Sequence, residues 1–419
     1  MPAQTSKKHT AKRKRRTPSF FYRNPGKLDG ALPLNVLILV VFGLVMLFSA
    51  SYATAYYYEG NSYKYIAPQT IFAIAGVGIM FIVSMVDYHW LRQWTYPAYF
   101  LTLLMLAAVP LVGVELNGCK RWLNLKVCTV QPSELAKFVL ILLMAHLMTA
   151  HSRRLKHVEY SILLPIAVLA PIEVLLYVEP HKSAMLLMLA LTVIMMWAGG
   201  VALRWFVCGA GGLGVLGVAY LVHLHGGNDY AGNRLQDWLA SFEDLTKASD
   251  QTVQSVYSIG NGGLLGVGIG NSNQKQLWLS EPQNDFIFSI LCEELGFIGA
   301  LICIALFVVL IVQAVRTAMR APDRFGALLG VGVAAHISIQ VLLNIAVVTN
   351  LIPNTGISLP FFSAGGTSLV MLLGEMGVLM SVNRAGNAAE ARRREQEKAA
   401  RDNTVQHPGS RPEAHRVTG

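Results

Sequence analysis

About ten apolar runs, most of them long enough to cross a bilayer and two of them shorter, recur along this chain and constrain its fold more than any motif. A segment of roughly 20 such residues can satisfy its backbone in lipid only as a helix. The runs are Leu34–Ala53, Tyr65–Met85, Pro97–Val114, Gln131–Thr149, Ile162–Val178, Ala184–Gly199, Trp205–Val222, Phe286–Val312, Leu328–Thr349 and Thr367–Val382. The expected fold is therefore all-α: a polytopic membrane protein of about ten transmembrane helices, with a large extracytoplasmic loop, Leu224–Asn284, between helices seven and eight. A hydrophobic share of 53% with only 14% charged residues excludes an ordinary soluble protein.

Charge gives the orientation. The net charge of +10 lies largely in Lys7–Arg16 and in short loops such as His151–His157, which the positive-inside rule assigns to the cytoplasm. The basic excess thus reads as membrane orientation and not as nucleic-acid binding. Both termini are expected inside: a basic tail over 1–30, a membrane domain over 31–383 and a charged tail over 384–419. The first tail lacks an apolar core and a small-residue cleavage site, so it is not read as a signal peptide.

Polar residues collect near the expected outer face in four places. Glu134 and Lys137 lie three apart at a helix start and share a face, with Arg121 just upstream. Such cations suit a phosphate or diphosphate, whereas a salt bridge that only holds the helix start explains the same spacing. The turn Glu179–Ser183 supplies Lys182 as a second phosphate contact or as a solvated cation, with Glu173 below it. The third place is the exit of the long loop, from Arg234 through Gln251, Gln254, Ser255 and Tyr257 into the glycine-rich stretch Gly262–Phe288. Its glycines can cradle anions or permit close helix packing, and packing is the better reading. Asp285, the isolated acid at the mouth of the eighth helix, is either an N-cap or a general base. The fourth place is a stripe, His336, Gln340 and Asn344, which lines a cavity or bonds another helix. It leads into Asn350–Leu369, where prolines and glycines break the helix at membrane depth.

Three segments carry a resemblance: QPSELAK (131–137), GNSNQKQLWLSEPQNDFIFSILCEELGFIG (270–299) and IPNTGISLPFFSAGGTSL (352–369). Together they closely resemble the SEDS family of shape, elongation, division and sporulation proteins over about Leu34–Val382, with GNSNQK closer to the division and sporulation branch, the FtsW and SpoVE type. The resemblance implies a peptidoglycan glycosyltransferase of the bacterial cytoplasmic membrane that polymerises lipid II. It also implies a class B penicillin-binding protein as partner, with other divisome or elongasome membrane proteins. The family's essential acid falls on Asp285, the Glu and Lys of its QPSE-x-x-K motif fall on Glu134 and Lys137, and the Arg of N-G-x-R-R-W falls on Arg121. Lys182, Gln254, Asn344, Thr355 and Ser363 complete the expected substrate-binding set. The usual P-D-x-G-T turn reads here Pro180, His181, Lys182, Ser183, Ala184, so an acid is missing there. Likewise the usual L-P-E reads Leu279, Ser280, Glu281, and Ala364 stands where S-Y-G-G has its aromatic.

No covalent cofactor and no protein metal site are expected, because His223 and His225 lack further ligands. A divalent cation, Mg or Mn, could accompany the substrate diphosphate. Cys208, Cys292 and Cys303 read as small core residues, while Cys119 and Cys128 are expected to pair as a disulfide bracing Arg121. Two competing functions stay open: a lipid II flippase, which polar intramembrane residues and a broken helix also fit, and a non-catalytic division scaffold.

Overall fold

The computed structural model describes residues 20–22, 26–116, 119–125, 129–207, 209 and 236–406. Its principal helices are α1 (Ala31–Glu59), α2 (Ile66–Met85), α3 (Tyr88–Val112), α4 (Pro132–Ala150), α5 (Leu164–Val178), α6 (Lys182–Ala198), α7 (Asp250–Gly262), α8 (Ile287–Arg320), α9 (Arg324–Val348) and α10 (Gly366–Gln406). Eight spans are long and apolar enough to cross a membrane, formed by α1 to α4, by α5 together with the π-helical turn Glu159–Leu163 before it, and by α8 to α10, while α6 is a shorter apolar helix. The seventh expected run, Trp205–Val222, lies mostly outside the described residues, as do Cys128, Cys208, His223, His225 and Arg234. The side chain of Cys119 is outside them too.

Several helices extend past the apolar runs, because helices do not stop where hydropathy does. Asp87 caps α3 by accepting from the amide of His89 at 3.0 Å, so Tyr88–Trp94, expected as a loop, forms the first turns of that helix. Asp323 caps α9 in the same way, accepting from Phe325 at 3.1 Å, and α8 runs on to Arg320, so the expected basic loop Arg316–Arg324 shrinks to a tight connection. Beyond Asn383 the helix α10 continues without a break to Gln406, and Asn387 reaches back to the carbonyl of Lys27 at 2.8 Å.

The segment expected as an outer loop, Glu115–Val130, holds a small antiparallel sheet: β1 (Val114–Leu116), β2 (Cys119–Asn124) and β3 (Thr129–Val130) in that order. Val114 pairs with Trp122 but Glu115 with Lys120. Arg121 is therefore the extra residue of a β-bulge, a device that re-aims a side chain.

Two apolar cores lie on either side of α9. One joins α1, α8 and α10 around Phe307, Phe361 and Phe362, and the other joins α3, α4, α5 and α6 around Leu140, Met144 and Met188. Small residues allow the close approach that packing in lipid requires. Thus Gly332 of α9 sits against Ile141 and Met195, and Gly330 against Ala318.

Gly262–Phe288 is a strap woven onto α8. That helix is broken at Gly296 (φ 67°, ψ −167°), which strands the carbonyls before the break and the amides after it. The strap satisfies both: Val267 and Gly268 donate to the carbonyls of Glu293 and Glu294 at 3.0 Å, while Phe297 and Ile298 donate to Gly263 and Leu264 at 2.9 and 3.2 Å. A Cβ at Gly262 would collide with the carbonyl of Cys292, and one at Gly266 with that of Glu294, so these two glycines serve close packing.

Two acids inside α8 fasten the strap further. Glu293 accepts from Ser258 Oγ at 3.0 Å, from Ser272 Oγ, and from the amides of Asn273 and Gln274 at 3.2 and 3.4 Å. Glu294 pairs with Lys275 Nζ at 2.5 Å and receives the Ser49 hydroxyl of α1, all three side chains being buried. The Tyr52 ring covers the ammonium at 4.8 Å.

Candidate active site

The strap ends at Asp285. Helix α8 begins at Ile287 with Phe286 as its N-cap residue and no side-chain cap bond from it, so the cap position expected of Asp285 falls one residue later. What holds Asp285 is tertiary. Asn344 of α9 donates through Nδ2 to the Asp285 carbonyl at 2.8 Å and to the Ile357 carbonyl at 2.7 Å. The carboxylate lies over Gly356, where a Cβ would stand 3.1 Å from Oδ2, and Gly356 has a φ of +67° that side chains disfavour.

Gly356 belongs to the broken segment between α9 and α10, and that segment is enclosed by protein, as unpaired backbone at membrane depth requires. Ser363 Oγ donates to the carbonyl of Asn284 at 2.6 Å and accepts from the amide of Leu359 at 2.8 Å. Ala364 donates to the Gln283 carbonyl at 2.9 Å, and Gly365 to Gln69 Oε1 of α2 at 3.1 Å. Gln251 of α7 joins the two sides, accepting from Asn354 at 3.0 Å and donating to Ser280 at 2.9 Å. Gln254, one turn along, is half-buried, and its side chain makes no hydrogen bond among the described residues.

The polar stripe of α9 is bonded along its length. His336 Nδ1 meets Glu375 Oε2 of α10 at 2.9 Å, Gln340 donates to the Ser358 carbonyl at 3.0 Å, and Asn344 holds Asp285 and Ile357. Of its two readings, hydrogen bonding between elements is the one observed.

The expected cations are held by contacts of their own. Lys137 pairs with Glu134 at 2.8 Å, and Ser368 at the start of α10 donates to the other carboxylate oxygen at 2.9 Å. Arg121, aimed by its bulge, donates through Nη2 to the Pro180 carbonyl at 2.7 Å. Two residues past His181, Ser183 Oγ donates to the carbonyl of Thr355, next to Gly356. A continuous chain of contacts thus runs from Arg121 through the turn and Thr355 to the carboxylate of Asp285.

Within the turn the burial order differs from the emphasis of the sequence. Lys182 is exposed on the first turn of α6, whereas Glu179 and His181 are 2% and 8% exposed. Burial pushes the Glu179 carboxyl up to about 8, against the pull of Arg121. Burial, with the charge of Arg121 beside it, pushes the His181 imidazole down to about 3. Both are neutral near pH 7. Sequence reasoning singled out the turn of Glu179 and His181 but assigned only Lys182 in it, and it gave no role to Glu293, Glu294 and Glu375, which only an acid inside an otherwise apolar run could have flagged. Among the described residues, no three His, Cys, Asp or Glu side chains gather as a metal site.

Against known proteins, a family profile described as "Cell cycle protein" (FtsW, RodA and SpoVE) matches residues 30–388. Stage V sporulation protein E of Bacillus subtilis is 36% identical over 358 residues, covering 85% of this chain and 97% of that one. A probable peptidoglycan glycosyltransferase FtsW of Trichlorobacter lovleyi is 37% identical over 366 residues, covering 86% and 95%. Among solved structures, a chain of a peptidoglycan synthase complex coordinating polymerization and crosslinking superposes with a TM-score of 0.71 at 26% identity, covering 86% of this chain and 98% of that one. The rod shape determining protein RodA of Thermus thermophilus gives a TM-score of 0.62 at 26% identity, covering 85% and 97%. With nearly the whole membrane bundle matched in sequence and in fold, this chain belongs to the FtsW/RodA/SpoVE family of cell cycle proteins, the SEDS family.

Proposed function

We propose that this chain is a peptidoglycan glycosyltransferase that polymerises lipid II at the outer face of the bacterial cytoplasmic membrane, with Asp285 as the general base. One observation carries the assignment of the base: the carboxylate lies on the bare Cα of Gly356, at the point where α8, the broken segment and the Arg121 chain of contacts converge. Relatives named as peptidoglycan glycosyltransferases support the reaction class. In this orientation both termini are cytoplasmic and the Asp285 end faces out.

Asp285 removes the proton of the acceptor GlcNAc 4-hydroxyl as that oxygen bonds to the anomeric carbon of the donor sugar. The bond from that carbon to the diphosphate breaks, and undecaprenyl diphosphate leaves with the electron pair. Arg121 and Lys137 balance the charge that grows on the leaving group. A divalent cation, Mg or Mn, enters as part of the diphosphate substrate and not as a resident of the protein. The lipid tail lies between membrane helices.

Likeness to a chain of a synthase complex supports a penicillin-binding protein as partner, and we assign it to class B, working among other divisome or elongasome membrane proteins. The test is lipid II polymerisation in detergent, with and without the coexpressed partner, comparing parent with Asp285→Ala. The parent should make glycan strands and the variant none, and because detergent removes membrane sidedness, strands in that assay report chemistry and not flipping. Polymerisation by Asp285→Ala at the parental rate would overturn the base assignment.

A further inference from the structure

Four residues at the Asp285 end carry buried polar atoms with no partner among the described residues: both carboxylate oxygens of Glu179, Nδ1 of His181, Nε of Arg121 and the hydroxyl of Thr355. Two hydrogen bonds link these residues. Glu179 and His181 flank Pro180, whose carbonyl receives Arg121 Nη2 at 2.7 Å, and Ser183 of the same turn bonds to Thr355. Buried polar groups in folded proteins are nearly always satisfied, so orphans on this turn and on the segments bonded to it mark a place where something polar binds.

Their chemistry selects the ligand. A diphosphate presents acceptors only and is best met by cations. Arg121, assigned above to the leaving group, and Lys137 both stand near the turn, but its orphaned groups are a carboxyl and an imidazole that burial keeps neutral, and neither is a cation. A protonated carboxyl, a neutral imidazole and a hydroxyl offer donors and acceptors together. Vicinal hydroxyls and acetamido groups of a sugar present the same mixture.

We infer that the Glu179–His181 turn, with Thr355, is a carbohydrate subsite that grips hydroxyl and acetamido groups of the acceptor sugar. The acceptor is assigned because Thr355 adjoins Gly356, over which the Asp285 carboxylate lies, so a sugar held here presents its hydroxyl to that base. This rests on the polymerase reading, and it makes Glu179 and His181 determinants of sugar recognition and of the order in which hydroxyls reach Asp285.

The test uses the full chain with its partner in detergent and two probes that divide the substrate: a soluble GlcNAc–MurNAc disaccharide without lipid or diphosphate, and undecaprenyl diphosphate without sugar. Binding of each is measured directly for the parent and for Glu179→Leu, His181→Leu, Thr355→Val and the conservative Glu179→Gln. The disaccharide should bind about tenfold more weakly to the Leu and Val variants, with Glu179→Gln returning most of the affinity, while undecaprenyl diphosphate binding changes less than about twofold. Thr355→Val and Glu179→Gln keep side-chain volume and so keep the test readable where a Leu variant does not fold. Disaccharide affinity equal to the parent in every variant would show that the turn holds water alone. Equal loss of both probes would show that it serves the diphosphate or the fold. Because binding is read without turnover, a parent that binds the disaccharide but makes no strands would sink the polymerase reading and leave the subsite standing.

Discussion

Replacing Lys275 by methionine isolates the ion pair that fastens the strap. The ammonium stands 2.5 Å from Glu294 Oε1, and neither side chain is exposed to solvent. Methionine keeps most of the volume, so the change removes charge and little packing. Glu294 would keep the Ser49 hydroxyl, at 2.7 and 2.6 Å from its two oxygens, but would lose its cation partner, and the face of Tyr52 would lose its charge partner. Breaking one side of a buried pair costs about 3–5 kcal/mol, because an uncompensated charge stays behind. That is roughly two to nearly four decades in the unfolding equilibrium. The double variant Lys275→Met/Glu294→Leu removes both charges and leaves only Ser49 short of an acceptor, a loss of about 1 kcal/mol. Equilibrium unfolding of parent, both single variants and the double variant in one detergent reads the cycle. The single variant should fall well below the parent and the double should recover most of the loss. A cost under about 1 kcal/mol for Lys275→Met, or a double variant no better than the single, would refute the reasoning.

Two glycines and one turn give further tests. Gly356→Ala places a methyl 3.1 Å from Asp285 Oδ2 on a backbone with φ +67°, so it should cost about 1–2 kcal/mol of stability and lower kcat for lipid II more than it raises KM. Gly296→Ala would drive a methyl into the backbone of Gly266 and Leu264 and should destabilise the fold more than Gly356→Ala in the same unfolding assay. The Glu179–His181 turn sets a pH signature of stability. Glu179 rises from 4.5 to about 8 on folding, so its contribution is full below 4.5 and is lost as pH climbs toward 8. His181 falls from 6.5 to about 3, so its contribution is full above 6.5 and is lost as pH drops toward 3. The two slopes cancel between 4.5 and 6.5, leaving a plateau that falls on both sides. Unfolding midpoints against pH should show Glu179→Gln removing the fall between 6.5 and 8 and tilting the plateau between 4.5 and 6.5 into the His181 slope, with stability rising with pH.

The membrane architecture was legible because lipid leaves the backbone no choice. An apolar run of about 20 residues must be a helix, whatever surrounds it. The spacing of Glu134 and Lys137 and the four-residue period of His336, Gln340 and Asn344 were legible for the same reason, since helical geometry fixes which side chains share a face. Three long motifs in order pointed to the family and to Asp285, Glu134 and Lys137, and the N-G-x-R-R-W match pointed to Arg121. Boundaries were less legible: the Asp87 and Asp323 caps extend helices through polar turns that hydropathy averages away.

What only the tertiary structure decided lies in contacts between residues far apart in the chain. Ser49 and Glu294 are 245 positions apart, and Ser183 and Thr355 are 172 apart. No periodicity reports such pairs. The bulge that aims Arg121, the burial of Glu179 and His181 beside an exposed Lys182, and the role of the strap glycines as spacers against a broken α8 all follow from packing between elements. The sequence by itself determined a bundle of membrane helices and the place of its acid, because the cost of bare backbone in lipid acts locally. The fold decided which polar groups lose water and which find partners, because desolvation depends on every neighbour a group acquires.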